Sequence, residues 1–137
     1  MNLLRNIAVA TALSLTNVAA NAALKPLPEK YQFDQLPEVE RFNRWSIDDY
    51  TMVDRQSLIV RTSPSKSYLL ILQRKLPGIG FNDAIAVTST GSQIHARFDT
   101  VQIIDRHFSG IPVPIAKIYK LDGREQRKQI KSKIRES

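Results

Sequence analysis

Tyr68-Leu69-Leu70-Ile71-Leu72 is an unbroken apolar run of strand length, and it constrains the fold more than any other part of this chain. Such a run needs cover on both faces, as a central strand has. Ser63-Pro64-Ser65-Lys66 precedes it as a turn signal. Before that comes a β-rich segment centred on Leu58-Ile59-Val60. The spacing predicts a hairpin of Ser57–Thr62 with Ser67–Gln73.

The same grammar extends in both directions. Trp45 and Ile47 alternate, then the phase shifts past Asp48-Asp49 to Tyr50 and Met52, which suggests a β-bulge. Asp54-Arg55-Gln56 turns the chain. Ala84–Ser89, Gln93–Phe98 and Thr100–Asp105 read as strands. In the second of these, Ile94, Ala96 and Phe98 are expected inward and Gln93, His95 and Arg97 outward. Val113–Leu121 closes the series, with Pro114 confining its start to an edge or a bulge. Upstream, Pro37 to Asn43 predicts a short helix. Pro37 suits a first helical position, Glu38 and Glu40 suit the first turn, and Val39 with Phe42 share a face. Trp45, Tyr50, Tyr68 and Tyr119 are expected in the core. About six or seven short strands therefore predict a mainly β fold, a small antiparallel sandwich or open barrel with short flanking terminal helices.

Residues 1–22 read as an export signal. Arg5 is the early positive charge, Ile7 to Ala20 is an apolar to small-residue run, and Ala20-Asn21-Ala22 offers a small-x-small cleavage site. Cleavage is expected between Ala22 and Ala23, which implies a periplasmic or secreted protein. The run is too short and mild for a membrane span, which needs about 20 strongly apolar residues. The expected organisation is signal 1–22, linker 23–36, β-rich domain 37–121 and basic helix or tail 122–137. No transmembrane span is expected in the mature chain. The 137-residue sequence has no cysteine. Thiolate metal sites, thiol catalysis and a lipoprotein anchor are thereby excluded, and an exported fold of this kind must hold together by packing rather than by disulfides.

The formal charge is +7, and most of it is local. Arg124, Arg127, Lys128, Lys131, Lys133 and Arg135 face only Glu125 and Glu136 in the last fourteen residues. These six cations are the candidate electrostatic contact, suited to an anionic envelope component or an acidic protein partner. The opposing reading is a solvated terminal helix that keeps the protein soluble. Nucleic acid is disfavoured by the compartment. Asp122 is expected to cap the helix with Glu125 three residues on. Ile130 and Ile134 would be its thin apolar stripe.

No enzymatic motif stands out, no catalytic residue, cofactor or metal site is assigned, and a non-enzymatic role is expected. The alternative is an unrecognised hydrolase or metal-binding protein built on Asp48, Asp49, Asp99 and His107, if the strands bring them together. Asp105 is a further carboxylate of that kind. Each has a plainer reading, because Asp at strand ends caps nearby backbone donors. His95 reads as a surface residue, and Gly78-Ile79-Gly80 as a tight turn rather than a nucleotide loop. The loops Arg74–Asn82 and Arg106–Pro112 are the expected presenting loops.

Several short pieces stand in a distinctive order: Trp45-Ser46-Ile47-Asp48-Asp49, Leu58-Ile59-Val60, Tyr68-Leu69-Leu70, Pro77-Gly78-Ile79-Gly80-Phe81, Ile85-Ala86-Val87-Thr88-Ser89, Arg97-Phe98-Asp99 and Ile115-Ala116-Lys117-Ile118-Tyr119-Lys120-Leu121. In this the chain resembles a family of small, signal-bearing proteobacterial proteins of unknown function, over roughly Pro37 to Leu121. The resemblance implies no catalytic residues. It does imply that relatives often carry a cysteine at the positions of Leu76 and Val113. If those cysteines pair in relatives, Leu76 and Val113 lie close here and replace a bridge by packing.

Overall fold

The computed structural model describes residues 26–77, 84–104 and 110–137. The signal segment with its Ala22–Ala23 cleavage site, the Gly78–Gly80 pair, Asp105 and His107 lie outside the described residues. Nine strands are described: β1 (Glu38–Val39), β2 (Arg41–Asn43), β3 (Asp49–Asp54), β4 (Ser57–Arg61), β5 (Lys66–Leu72), β6 (Ala84–Val87), β7 (Gln93–His95), β8 (Thr100–Ile104) and β9 (Val113–Asp122). One helix, α1 (Gly123–Arg135), follows, and short 3-10 turns occupy Glu29–Tyr31 and Arg44–Ser46. The expected mainly antiparallel β architecture is present. The strands form a curled sheet, a half-barrel, in the order β3-β4-β5-β9-β8-β6, with β1 also on β9 and β2 paired to β7 alongside.

The predicted hairpin is β4–β5, with Leu58 opposite Leu70 and Val60 opposite Tyr68. Its turn is held by the Lys66 N–H, which donates to the Ser63 hydroxyl (3.0 Å). The β3–β4 turn is held by Asp54, whose Oδ1 accepts from the Gln56 N–H (2.9 Å) and the Ser57 hydroxyl (2.7 Å). The bulge in β3 falls between Met52 and Asp54, not at Asp48-Asp49 where the phase shift suggested it.

β9 is the axis. Along one edge it pairs with β5 from Asp122 to Ile115. Along the other it meets β8 at Val113–Pro114 and β1 at Ile118–Tyr119. The ladder with β5 shifts at Ala116, because Ile71 faces Lys117 while Leu72 faces Ile115. The bulge inverts the facing of the strand, so Val113, Ile115 and Ile118 all enter one core although the last two are three residues apart. The bulge lies at Ala116, two residues past Pro114, which itself pairs with Thr100 of β8.

The two faces of the sheet carry separate cores. Leu58, Val60, Leu70, Leu72 and Ile118 line the concave side, where Phe42 of β2 and Ile94 of β7 close over them. Phe42 stacks on Tyr68 with centroids 4.5 Å apart. Ile59, Leu69, Ile71, Tyr119 and Leu121 line the convex side. There they meet Tyr31, Phe33 and Leu36 from the N-terminal segment and Ile130 and Ile134 from α1. The apolar run Tyr68–Leu72 thus has cover on both faces. Each large side chain so buried contributes roughly 1.5–3 kcal/mol.

Four local expectations are corrected. Pro37–Asn43 is not helical: Glu38 and Val39 pair with Tyr119 and Ile118, and Phe42 is needed in the concave core. A pairing partner distant in sequence overrides a weak local propensity. Phe98 is not inward but 78% exposed. Arg97 adopts φ +73° and ends the alternation, the Asp99 N–H returns to the His95 carbonyl (3.0 Å), and β7 stops at His95. Trp45 is 72% exposed, with the Arg44 guanidinium 4.8 Å over its ring, and Tyr50 is also exposed. Tyr68 and Tyr119 do pack inside. Finally, Asp122 makes no side-chain cap bond; instead its own N–H donates to Gln126 Oε1 (2.6 Å).

α1 is docked. Ile130 and Ile134 are buried, Arg135 donates to the carbonyls of Val53 (3.1 Å) and Met52 (3.2 Å), and the Lys133 ammonium lies 5.4 Å from the Phe33 ring centre. Asp54, below the foot of the helix, accepts from the Tyr31 hydroxyl (2.6 Å) and pairs with Lys30 (3.3 Å). Burial pushes its carboxyl upward, but hydrogen bonds from Tyr31, Ser57, Gln56 and Lys30 outweigh that and hold it below the usual range.

Two outcomes follow. Ile134→Ala should cost about 2–5 kcal/mol in urea denaturation, whereas Asp122→Ala should cost under about 0.5 kcal/mol, a surface change rather than a lost cap. A depressed folded pKa at Asp54 contributes stability that is full above the unfolded value of 3.8 and is lost as pH falls through the folded value. Tyr31→Phe should therefore flatten the acid limb of stability against pH below 3.8; an unchanged limb would remove Asp54 as its source.

Candidate functional site

The cations of α1 divide by position. Lys133 and Arg135 hold the end of the helix to the fold. Arg124, Arg127, Lys128 and Lys131 lie nearer its start and line a groove of about 240 Å³ between the helix and strands β3 and β4. A fifth cation, Arg61, comes from the end of β4. Thr51 of β3 and Ile59 of β4 complete the sheet wall.

Local structure explains why these side chains meet. The turn before β5 and the start of α1 are joined: the Gly123 N–H donates to the Ser65 carbonyl (2.8 Å), and Arg127 Nη1 donates to the Pro64 carbonyl (3.0 Å). Gly123 has φ +80°, a conformation available to glycine at little cost, and it redirects the chain from β9 into α1. Residues 124, 127, 128 and 131 then recur at helical spacing on one face, while Ile130 and Ile134 anchor another. Arg61 is steered by Asp48 (Nη2 to Oδ2, 3.0 Å), with Asp49 at 3.9 Å. Asp49 also lines the groove, so one of its five cations is locally compensated.

Of the carboxylates singled out in sequence, Asp48 and Asp49 do not share a site with Asp99. Asp48 and Asp49 are exposed beside Arg61, in the row that runs through Arg61, Ser67 and Leu121. Asp99 is 3% exposed and belongs to the other end of the sheet, its carbonyl accepting from the Ile115 N–H (2.9 Å). Six residues of β9 separate the two rows, about 20 Å. The Asp99 side chain accepts from the His95 N–H (2.7 Å) and from the hydroxyls of Thr88 (3.0 Å) and Thr90 (3.3 Å). It is a turn residue that ties β6 to the β7–β8 connection. Among the described residues no three His, Cys, Asp or Glu side chains group at metal-binding distance.

Leu76 and Val113 are both buried in the concave core. Their segments are joined by Gln73 N–H to the Pro114 carbonyl (2.9 Å) and Arg74 Nη2 to the Pro112 carbonyl (3.1 Å). Arg61 and Thr51 were missed by sequence reasoning. No local signal marks them, because the groove joins residues more than sixty positions apart. The presence of a basic helix was visible; the wall it faces was not.

Oxidation of a Leu76→Cys/Val113→Cys variant should produce an intramolecular crosslink, detectable by mass and by loss of free thiols. Two titratable thiols after oxidation would mean a Cα separation beyond the ~7 Å that a disulfide spans.

Among the described residues no helix is long and apolar enough to cross a membrane. No curated protein and no solved structure matches the chain significantly. A family described as "Family of unknown function (DUF6491)" matches residues 1–137, the whole chain, and the protein belongs to that family.

Proposed function

We propose that the protein is exported, to the periplasm or beyond, and serves there as a non-enzymatic binding module for an anionic component of the envelope. The observation that carries this reading is the groove, where four cations of α1 and Arg61 of β4 face one another across 240 Å³. The sequence of residues 1–22 supplies the compartment and argues against nucleic acid as partner.

A docked helix makes a different binding element from a free basic tail. Its backbone is ordered before any partner arrives, so association does not bear that entropy cost. Near an anionic surface each Lys or Arg is worth about 1 kcal/mol, so four give roughly 4 kcal/mol, the millimolar range. Binding of this strength is reversible and weakens as salt rises. The sheet's part is to hold the groove's second wall rigid.

Two measurements test the proposal. N-terminal sequencing of protein isolated from cells should begin at Ala23; a start at Met1 would overturn cleavage. Purified protein should cosediment with anionic phospholipid vesicles at low salt and be released at high salt. An Arg124→Gln/Lys128→Gln/Lys131→Gln variant should lose most of that binding. Equal binding by the variant, or binding only to an acidic protein, would sink the envelope reading.

A further inference from the structure

The groove is more selective than its charge alone requires. Its volume of 240 Å³ is below the ~300–1,000 Å³ usual for drug-sized ligands. It therefore suits a compact group rather than an extended molecule. Its donors come from two walls set against each other: Arg61 and the Thr51 side on the sheet, and Arg124, Arg127, Lys128 and Lys131 on the helix. Donors converging from two directions match a tetrahedral anion better than a planar carboxylate, and guanidinium forks hold phosphate oxygens in pairs.

Charge matching points the same way. Five cations against Asp48 and Asp49 leave a net charge of +3. A phosphomonoester carries about −1.5 to −2 at neutral pH, so two phosphate groups balance it. The placement of the cations also runs against helix stability. Arg124 stands in the first turn of α1, with Arg127 and Lys128 next, near the positive end of the helix dipole. Cations are favoured at the opposite end. Glu125 and the Pro64 carbonyl offset part of this cost, and a bound anion would offset the rest.

We propose that the groove recognises phosphate groups, and that its ligand is a compact head group bearing two of them. This rests on the binding reading above but can fail separately from it. The Arg127–Pro64 hydrogen bond and the Asp48–Arg61 pair make Arg127 and Arg61 pre-positioned donors. Lys128 and Lys131 act as point charges along the helix.

The test uses inorganic pyrophosphate as probe, followed by amide NMR shifts and calorimetry at constant ionic strength. Saturable shifts are expected at Arg61, Arg124 and Lys128. Lys128→Gln should weaken binding about tenfold. Arg61→Lys, which keeps the charge but loses the fork, should weaken it several-fold. Arg41→Gln, an exposed cation on β2 outside the groove, should leave it unchanged, and equal weakening there would overturn the assignment to the groove. A polyglutamate peptide that binds as tightly as pyrophosphate would overturn phosphate selectivity in favour of an acidic protein. Vesicles containing diacylglycerol pyrophosphate, whose head group bears two phosphates, separate the sources. If free pyrophosphate and these vesicles both bind, the head group is lipid-borne. If pyrophosphate alone binds, the ligand is soluble and the envelope reading fails while this one stands. Vesicle binding without pyrophosphate binding would overturn the phosphate site and leave only diffuse attraction.

Discussion

The rest of this structure depends on the two-sided pairing of β9 and the bulge at Ala116 within it. β9 meets β5 on one edge and β8 and β1 on the other. No other strand among the described residues brings together so much of the chain. The bulge turns Ile118 into the same core as Ile115 and leaves Tyr119 and Leu121 to the convex side. Without that inversion, the second half of the strand would present its apolar residues to the wrong faces. The convex core would then lose Tyr119 and Leu121, part of the surface against which Ile130 and Ile134 pack to seat the helix.

The groove follows from that seat. α1 offers only two buried isoleucines, a narrow stripe for a thirteen-residue helix. Polar contacts at both ends complete the docking: Gly123 and Arg127 to the Ser63–Lys66 turn, Arg135 to β3. Basic residues therefore serve two purposes in one helix. Arg135 and Lys133 near its end and Arg127 near its start fix it, while Arg124, Lys128 and Lys131 are left facing the β3–β4 wall. A tail with the same composition but no seat would spread its charge over many conformations. Here the cations converge on a single concavity.

The acidic residues show a complementary economy. Asp54 gathers Tyr31, Lys30, Gln56 and Ser57. Asp99 gathers His95, Thr88 and Thr90. Each satisfies buried or half-buried donors at a turn, where an unmet donor would cost about 1–3 kcal/mol. In a chain without cysteine, such knots and the two apolar cores supply the cohesion that disulfides provide elsewhere. Leu76 and Val113, both buried in the concave core, belong to that same scheme.

What the sequence determined by itself is what depends on neighbours along the chain. The β4–β5 hairpin, the Ser63–Lys66 turn, the buried run Tyr68–Leu72 and a basic helix after Asp122 are all legible from period and turn chemistry. What tertiary structure decided is what depends on a distant partner. Glu38–Val39 became a strand because β9 had a free edge there. Phe98 points out because Arg97 adopts a left-handed turn whose closing bonds reach Asp99 and Ile115. Asp48 and Asp99 lie apart because strand register, not sequence, sets their distance. The candidate site divides along the same line: its helix cations were readable as a cluster, but Arg61 joins them only through the folding of β4 beside α1. Local propensity is encoded in adjacent side chains, whereas a groove exists only once two surfaces meet.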